Sequence, residues 1–370
     1  MFGPNPFKLG VFGYLHFGGG AYTLVPERWQ AKWDDIVGVA QIADRAGIEF
    51  MLPIARWKGV KGKQNQRLKS YETLTHAAAL AGSTKRIALF ATCHVPIVHP
   101  VFAAKALVTI DHASHGRAGV NIVCGWNQDD FDMFGFTQLQ HDDRYDQGQE
   151  WYDILTRIVG AGADEEFDYS GRYFKVRNVI GRPPSVQQPR PCVLSAAYSP
   201  AGRAYAARTS DFLLTSLVDD EQGAGVIKDM QARVQEAGTE DVFRGVISVS
   251  YMVCRETDRE AEEYHRYYAE QMADNEAVDR YVRDKTANSM VAMREIRMRW
   301  AGGNGGYPLV GSPERIVDEM VRMSRLGFAG TTIKFVNYLD EFPFFVERVL
   351  PLMQQAGLRV GEPSLAHSAA

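Results

Sequence analysis

Gly116-Arg117-Ala118-Gly119-Val120-Asn121-Ile122-Val123-Cys124-Gly125-Trp126 is the stretch on which the fold turns. From Arg117 to Cys124 it is apolar almost without a break, where a strand with one wet face would alternate. A strand buried on both faces belongs to a parallel sheet covered by helices. Its neighbours agree: residues 100–114 read as a helix and residues 143–159 as another.

The same alternation continues outward. On the N-terminal side, strands are expected at 7–15, 48–54 and 86–95. Between the first two lies a helix whose apolar residues Trp29, Trp33, Ile36, Val37, Ala40 and Ala43 share one face, with Gly47 as its stop. Ser70 is expected to cap the next helix, which carries Leu74, Ala77, Ala78 and Ala81. On the C-terminal side, 168–176 reads as a hairpin turning at Ser170-Gly171. Strands follow at 191–196, 211–216, 247–254 and 331–336, with helices at 201–208, 221–237, 313–326 and 341–355. An open doubly wound sheet and a (β/α)8 TIM barrel both alternate in this way; eight repeats favour the barrel.

One segment breaks the rhythm. Residues 258–306, before the last helix and strand, are highly charged and end in Gly302-Gly303-Asn304-Gly305-Gly306. Two readings stay open, a lid over the barrel mouth with glycine hinges and an exposed helical insertion. No linker divides the chain, so residues 1–370 are read as one barrel domain containing this insertion.

Composition narrows the function. Hydrophobic residues are 45% and charged residues 23% of the 370, which supports a large core and argues against disorder. The net charge of −4, without a basic run, argues against nucleic acid as partner. No 18-residue window is apolar enough to span a membrane, and residues 1–6 do not resemble a signal peptide. Cys93, Cys124, Cys192 and Cys254 show no paired spacing, so reduced thiols in a cytoplasmic protein are expected.

In a barrel, ligands meet the C-terminal ends of the strands. Those ends deliver His16; Leu52 with Ile54-Ala55-Arg56; Thr92 and His94; Asn121, Cys124 and Trp126; and Tyr198-Ser199. A few amides, hydroxyls and imidazoles among apolar walls suit a planar cofactor better than a metal. Asp129-Asp130 and His141-Asp142-Asp143 read as helix-start acids, so no metal is expected. The chain has no Gly-x-Ser-x-Gly elbow, no Gly-x-Gly-x-x-Gly after a strand and no Walker loop. Ser199-Pro200-Ala201-Gly202 opens a helix and serves either as a phosphate site or as an ordinary cap.

Taken together, these motifs resemble the bacterial-luciferase-like flavin monooxygenases. The resemblance rests on 116–126 and on His141-Asp142-Asp143-Arg144-Tyr145. It also rests on Ala104-Lys105-Ala106-Leu107-Val108-Thr109-Ile110-Asp111-His112, Tyr169-Ser170-Gly171-Arg172-Tyr173-Phe174, Ser199-Pro200-Ala201-Gly202 and Leu309-Val310-Gly311-Ser312-Pro313-Glu314. It covers roughly residues 7–354 and is nearest to the two-component group acting on pyrimidines, dimethyl sulfone and alkanesulfonates. It implies a TIM barrel, FMN used as FMNH2 from a separate NAD(P)H-dependent flavin reductase, and O2. It also implies delivery of oxygen to a small molecule through a flavin peroxide (C4a or N5), and a homodimer or homotetramer.

By the same resemblance, Asn121 holds the polar edge of the flavin, Ile54 and Ala55 pack on its ring, and Asp130 stands nearby. Arg144, Tyr145 and Ser199 hold the FMN tail and phosphate, while Leu52, Thr92, Asn121 and Trp126 border an oxygen pocket. His16 and His94 are candidate proton carriers from their place at the mouth, not from the resemblance. The expected substrates are sulfones, sulfonates, pyrimidines or other, including halogenated, rings; Arg294, Arg297 and Arg299 are the cations a sulfonate would need. Two other readings share the fold: a deazaflavin-dependent oxidoreductase and a non-catalytic flavin-binding protein.

Overall fold

A computed structural model describes residues 1–59, 61–65, 68–125, 127–160, 164–283 and 290–360. Eight parallel strands form a closed barrel: β1 (Lys8–Phe12), β2 (Phe50–Leu52), β3 (Ala88–His94), β4 (Ala118–Val123), β5 (Cys192–Ala196), β6 (Phe212–Ser216), β7 (Gly245–Cys254) and β8 (Phe328–Ile333). β1 lies between β8 and β2, with Lys8 opposite Gly330 and Gly10 opposite Phe50. The β6–β7 pairing, Phe212 opposite Gly245, completes the ring. The TIM barrel expected from eight alternations is therefore the fold.

The unbroken apolar runs follow from this geometry, because each strand has a layer on both sides. On β4, Val120 and Ile122 face outward into the large core shared with the helices. Inside the barrel, Phe50, Leu52, Phe90, Leu194, Phe212, Leu214 and Ile247 form a separate cluster. The Phe50 and Phe90 rings meet edge-on, with centroids 5.8 Å apart. Glycines opposite them supply the room: a Cβ at Gly10 would lie 2.1 Å from the Phe50 ring, and one at Gly119 2.6 Å from that of Phe90. Gly119 of the opening motif is thus a packing requirement.

The helices sit close to their expected places, with one instructive difference. Ser70 does not cap the helix Thr73–Ala81; the Glu72 carboxylate accepts from the Leu74 and Thr75 amides instead. The Ser70 hydroxyl donates to the Arg56 carbonyl, 2.6 Å away. The hairpin pairs Phe167–Ser170 with Lys175–Val179, and its turn is gripped by Glu150, which accepts from the amides of Arg172, Tyr173 and Phe174.

Between β7 and the helix Pro313–Arg325, the insertion is built of the helices Asp258–Arg266, Asn275–Val282 and Met290–Gly303. A Thr257/Glu260 capping box starts the first. The insertion ends in a ninth strand, Tyr307–Gly311, which runs parallel to the outer half of β7 with Tyr307 opposite Ser250 and Gly311 opposite Cys254. The glycine run serves close approach here. Gly302 and Gly303 lie on Tyr251, and Asn304 and Gly305 then reverse the chain at φ 56° and 76°. Among the described residues, no helix is long and apolar enough to cross a membrane. The four cysteines are buried and unbridged.

Candidate functional site

At the C-terminal end of the barrel the interior changes from apolar to polar. Thr92 on β3 stands opposite Asn121 on β4. The Thr92 hydroxyl donates to the Pro53 carbonyl at 2.6 Å, so its proton is committed. Its oxygen can then only accept, which it does from Asn121 Nδ2 at 3.2 Å. This relay sets the amide orientation and leaves Asn121 Oδ1 buried without a partner among the described residues. A buried orphan acceptor costs about 1–3 kcal/mol, so this atom calls for a hydrogen-bond donor from outside the protein. Beside it, Leu52 and Ala55 are buried and Ile54 is half-buried, giving an apolar wall. Trp126 lies outside the described residues.

A second group sits over the ends of β2, β3 and β4. Arg56 Nη1 meets Asp130 Oδ2 at 2.9 Å, and Asp130 Oδ1 accepts from the amides of Trp57 and Lys58 at 3.2 and 2.9 Å. Burial pushes the Asp130 carboxyl up, but hydrogen bonds from Asn127 and Lys58 and the Arg56 guanidinium together hold it below its ordinary range. His94 is buried next to this pair. Burial, then the Arg56 cation, push the imidazole down to about 4 against the opposing pull of Asp130, so it is neutral at neutral pH. Its Nδ1 has no partner among the described residues. His16 is also fully buried, and its backbone bridges to Ser70.

The third group surrounds a helix start. Ser199 caps Pro200–Thr209, its Oγ accepting from the Gly202 amide at 3.1 Å. The Tyr145 hydroxyl is 3.2 Å from the same Oγ. Gly202 permits this contact, since a Cβ there would lie 2.7 Å from the Tyr145 hydroxyl. Arg144 donates from Nη1 to the Gly125 carbonyl at the end of the opening motif, while its Nε is buried without a partner. A helix N-terminus with two hydroxyls and a neighbouring guanidinium that has a spare donor is suited to a phosphate dianion.

Other expected participants are committed elsewhere. Arg294 makes a two-pronged pair with Glu270 at 2.6 and 2.5 Å. Arg297 is held by Asp279 and Asn275, and Arg299 by the Val218 carbonyl. The acids at the 143–159 helix start do not cap it by side chain; Asp143 anchors Arg172 and Tyr173 of the hairpin turn. Among the described residues, no three His, Cys, Asp or Glu side chains converge as a metal site. Open concavities of about 270 and 710 Å³ lie on the insertion and near Arg190 and Asp211 at the N-terminal ends of the strands. The orphan atoms, not these hollows, mark the site.

Sequence reasoning brought Leu52, Thr92, His94 and Asn121 to the mouth, and Arg144, Tyr145 and Ser199 to the helix start. It missed the task of Arg56. The only signal was an arginine directly after an apolar strand, where burial demands a carboxylate partner.

The model of the luciferase-like monooxygenase family matches residues 8–330. The chain is 28% identical over 350 residues to an FMNH2-dependent dimethylsulfone monooxygenase of Pseudomonas putida, covering 91% of this chain and 93% of that one. It is 28% identical over 366 residues to a pyrimidine monooxygenase of Shigella flexneri, covering 94% and 91%. A long-chain alkane monooxygenase structure superimposes with a TM-score of 0.84 at 21% identity, over 98% of this chain and 94% of that one.

Proposed function

This chain belongs to the luciferase-like monooxygenase family, and from that premise we propose that it uses FMNH2 and O2 to oxygenate a small, uncharged organic molecule. Two observations of this structure fit the flavin. The orphaned Asn121 Oδ1 is an acceptor for a flavin N–H, and the Ser199–Tyr145 helix start with Arg144 suits the phosphate. Leu52, Ile54 and Ala55 give the ring an apolar wall that keeps water away. When bound, the reduced flavin supplies the electrons and the place where O2 is activated.

The chain's residues bind, orient and shield. Of the two candidate proton carriers, His16 and His94, His94 is buried and neutral, able to donate from one ring nitrogen and accept at the other. The relatives' names support a separate flavin reductase as the source of FMNH2. The preference for an uncharged substrate is drawn from the three arginines a sulfonate would need, Arg294, Arg297 and Arg299, which among the described residues all serve protein partners. Sulfones, neutral pyrimidines and halogenated rings therefore rank above sulfonates.

The carrying observation is the orphaned Asn121 Oδ1, and a binding titration tests it. Anaerobic FMNH2 should bind the wild-type chain and bind Asn121→Leu at least about tenfold more weakly, one lost buried hydrogen bond. A reductase-coupled panel of sulfones, sulfonates, pyrimidines and halogenated aromatics should then show substrate-dependent oxygen uptake with a neutral class. Equal FMNH2 binding by both proteins, or turnover with sulfonates alone, would overturn the reading.

A further inference from the structure

We propose that Lys334 is a positioning residue that seats the end of the insertion on the barrel mouth. The helix Met290–Gly303 then ends as a fixed wall beside the site and does not swing on its glycines. Lys334 is the first residue past β8. Its neighbours Ile333 and Phe335 pack in the outer core, so by alternation its own side chain turns into the barrel. There its Nζ lies 5.3 Å from the centroid of the Phe12 ring, a member of the interior cluster.

The last carbonyls of any helix have no partner within it. At the end of Met290–Gly303, those of Arg299 and Trp300 accept from the amides of Gly305 and Asn304. The next three accept from three separate parts of the chain. Ala301 accepts from the Tyr22 amide, in the loop after β1, at 2.8 Å. Gly302 accepts from the hydroxyl of Tyr268, within the insertion itself, at 3.2 Å. Gly303 accepts from the Lys334 ammonium at 2.5 Å. Each of the three donor residues is 1% exposed. Lys334 is the charged one, and a cation is what the negative end of a helix favours.

Filling this space would by itself call for an apolar side chain, without the cost of burying a charge. An apolar side chain would not, however, hold the Gly303 carbonyl. The seat also adjoins the apolar wall of the site. The Lys334 stem runs past Gly20, where a Cβ would lie 2.7 Å from its Cδ. The Gly20 amide nitrogen and Ile54 Cδ1 each stand 3.7 Å from the place of a Cβ on Gly13. Glycine backbone thus separates Lys334 from Ile54, and the end of the insertion closes the β7–β8–β1 side of the mouth. What this wall shields rests on the flavin reading; the seat itself does not.

Amide hydrogen exchange of the full-length, flavin-free chain tests the seat, read by mass spectrometry on the peptide containing Asn304–Gly306. These three amides bond back to the carbonyls of Trp300, Arg299 and Gly303. Lys334→Met keeps an apolar stem and removes the donor, and exchange there should speed up at least about tenfold. The amides of Arg172, Tyr173 and Phe174, held by Glu150, should keep their wild-type rates. Lys334→Arg, which keeps cation and donor, should return the 304–306 peptide toward the wild type. Should Lys334→Met fail to fold, Tyr268→Phe removes only the hydroxyl on the neighbouring carbonyl and should speed the same peptide by a smaller factor. In a reductase-coupled assay, the loosened wall admits water, so hydrogen peroxide released per O2 consumed should rise at least about twofold in Lys334→Met and fall back in Lys334→Arg. A folded Lys334→Met chain with wild-type exchange at 304–306, or with the hairpin amides accelerated equally, overturns the inference. Faster exchange confined to 304–306 in a chain that never binds FMNH2 upholds the seat and removes only the flavin reading.

Discussion

The two ends of the barrel interior are lined by the same eight strands and obey different rules. Toward the strand starts, Phe50 and Phe90 interlock over Gly10 and Gly119, and Leu194, Phe212, Leu214 and Ile247 complete an all-apolar packing. Toward the strand ends, two to four residues further along β3 and β4, Thr92, His94 and Asn121 replace them. There two buried polar atoms, Asn121 Oδ1 and His94 Nδ1, have no partner among the described residues. The lower half is where the fold is specified. The upper half gives up satisfied bonding so that something else can supply it.

Acid should have the largest effect, and of the three histidines it acts through only His94 belongs to the upper interior, His76 and His265 lying on the helices Thr73–Ala81 and Asp258–Arg266. His76, His94 and His265 each titrate at about 4 instead of 6.5, because burial disfavours the imidazolium. The unfolded chain takes up these protons as the pH falls below about 6.5, while the folded chain stays neutral there until about 4. The stabilisation is therefore complete above that window and lost through it, by about 1.4 kcal/mol per pH unit for each histidine. Urea midpoints should fall steeply between about pH 6.5 and 4. Flat midpoints would show that the histidines are not held neutral. The apolar lower interior contributes nothing to this loss.

Phe50→Ala strikes the lower half and should cost about 3–5 kcal/mol in chemical denaturation, with turnover per folded molecule retained. Asn121→Leu strikes the upper half and should do the reverse: a fall of about 100-fold in substrate-dependent oxygen uptake, with an unchanged or slightly raised melting temperature. If both variants lost stability and activity together, the division between the halves would fail. Gly119→Ala is the mildest probe. It pushes a methyl group into the Phe90 ring and should cost about 1–3 kcal/mol, measured by thermal unfolding.

The sequence carried the barrel well because its evidence is local. The run 117–124 needs only its own apolarity to be read as a strand buried on both faces, and β4 lies within it. Ser70 shows where local reading ends. Serine is a good cap by type, but Glu72 sits in register with the first free amides and takes the position. The strand Tyr307–Gly311 is not legible locally because its five residues include a proline and a glycine, leaving only Tyr307, Leu309 and Val310 to set a period; its pairing with β7 creates it. Arg56 and Asp130 are separated by 74 positions, and nothing in either segment names the other. Gly302 and Gly303 invite a hinge reading, whereas their visible role is contact with Tyr251, far away in sequence.

That ninth strand also restores something a closed barrel takes away. Closing a barrel removes sheet edges, but Tyr307–Gly311 puts one back at the end of the nine-stranded order. The Gly311 carbonyl faces β7, where it accepts from the Arg255 amide, so by alternation Tyr307 and Leu309 face inward while Pro308 and Val310 face out. Proline has no amide hydrogen to offer. The outward side of the edge thus lacks a donor at the second of its five residues, and a foreign strand laid against it would find an interrupted ladder. Pro308 leaves a gap in the ladder on the edge that the insertion reopened.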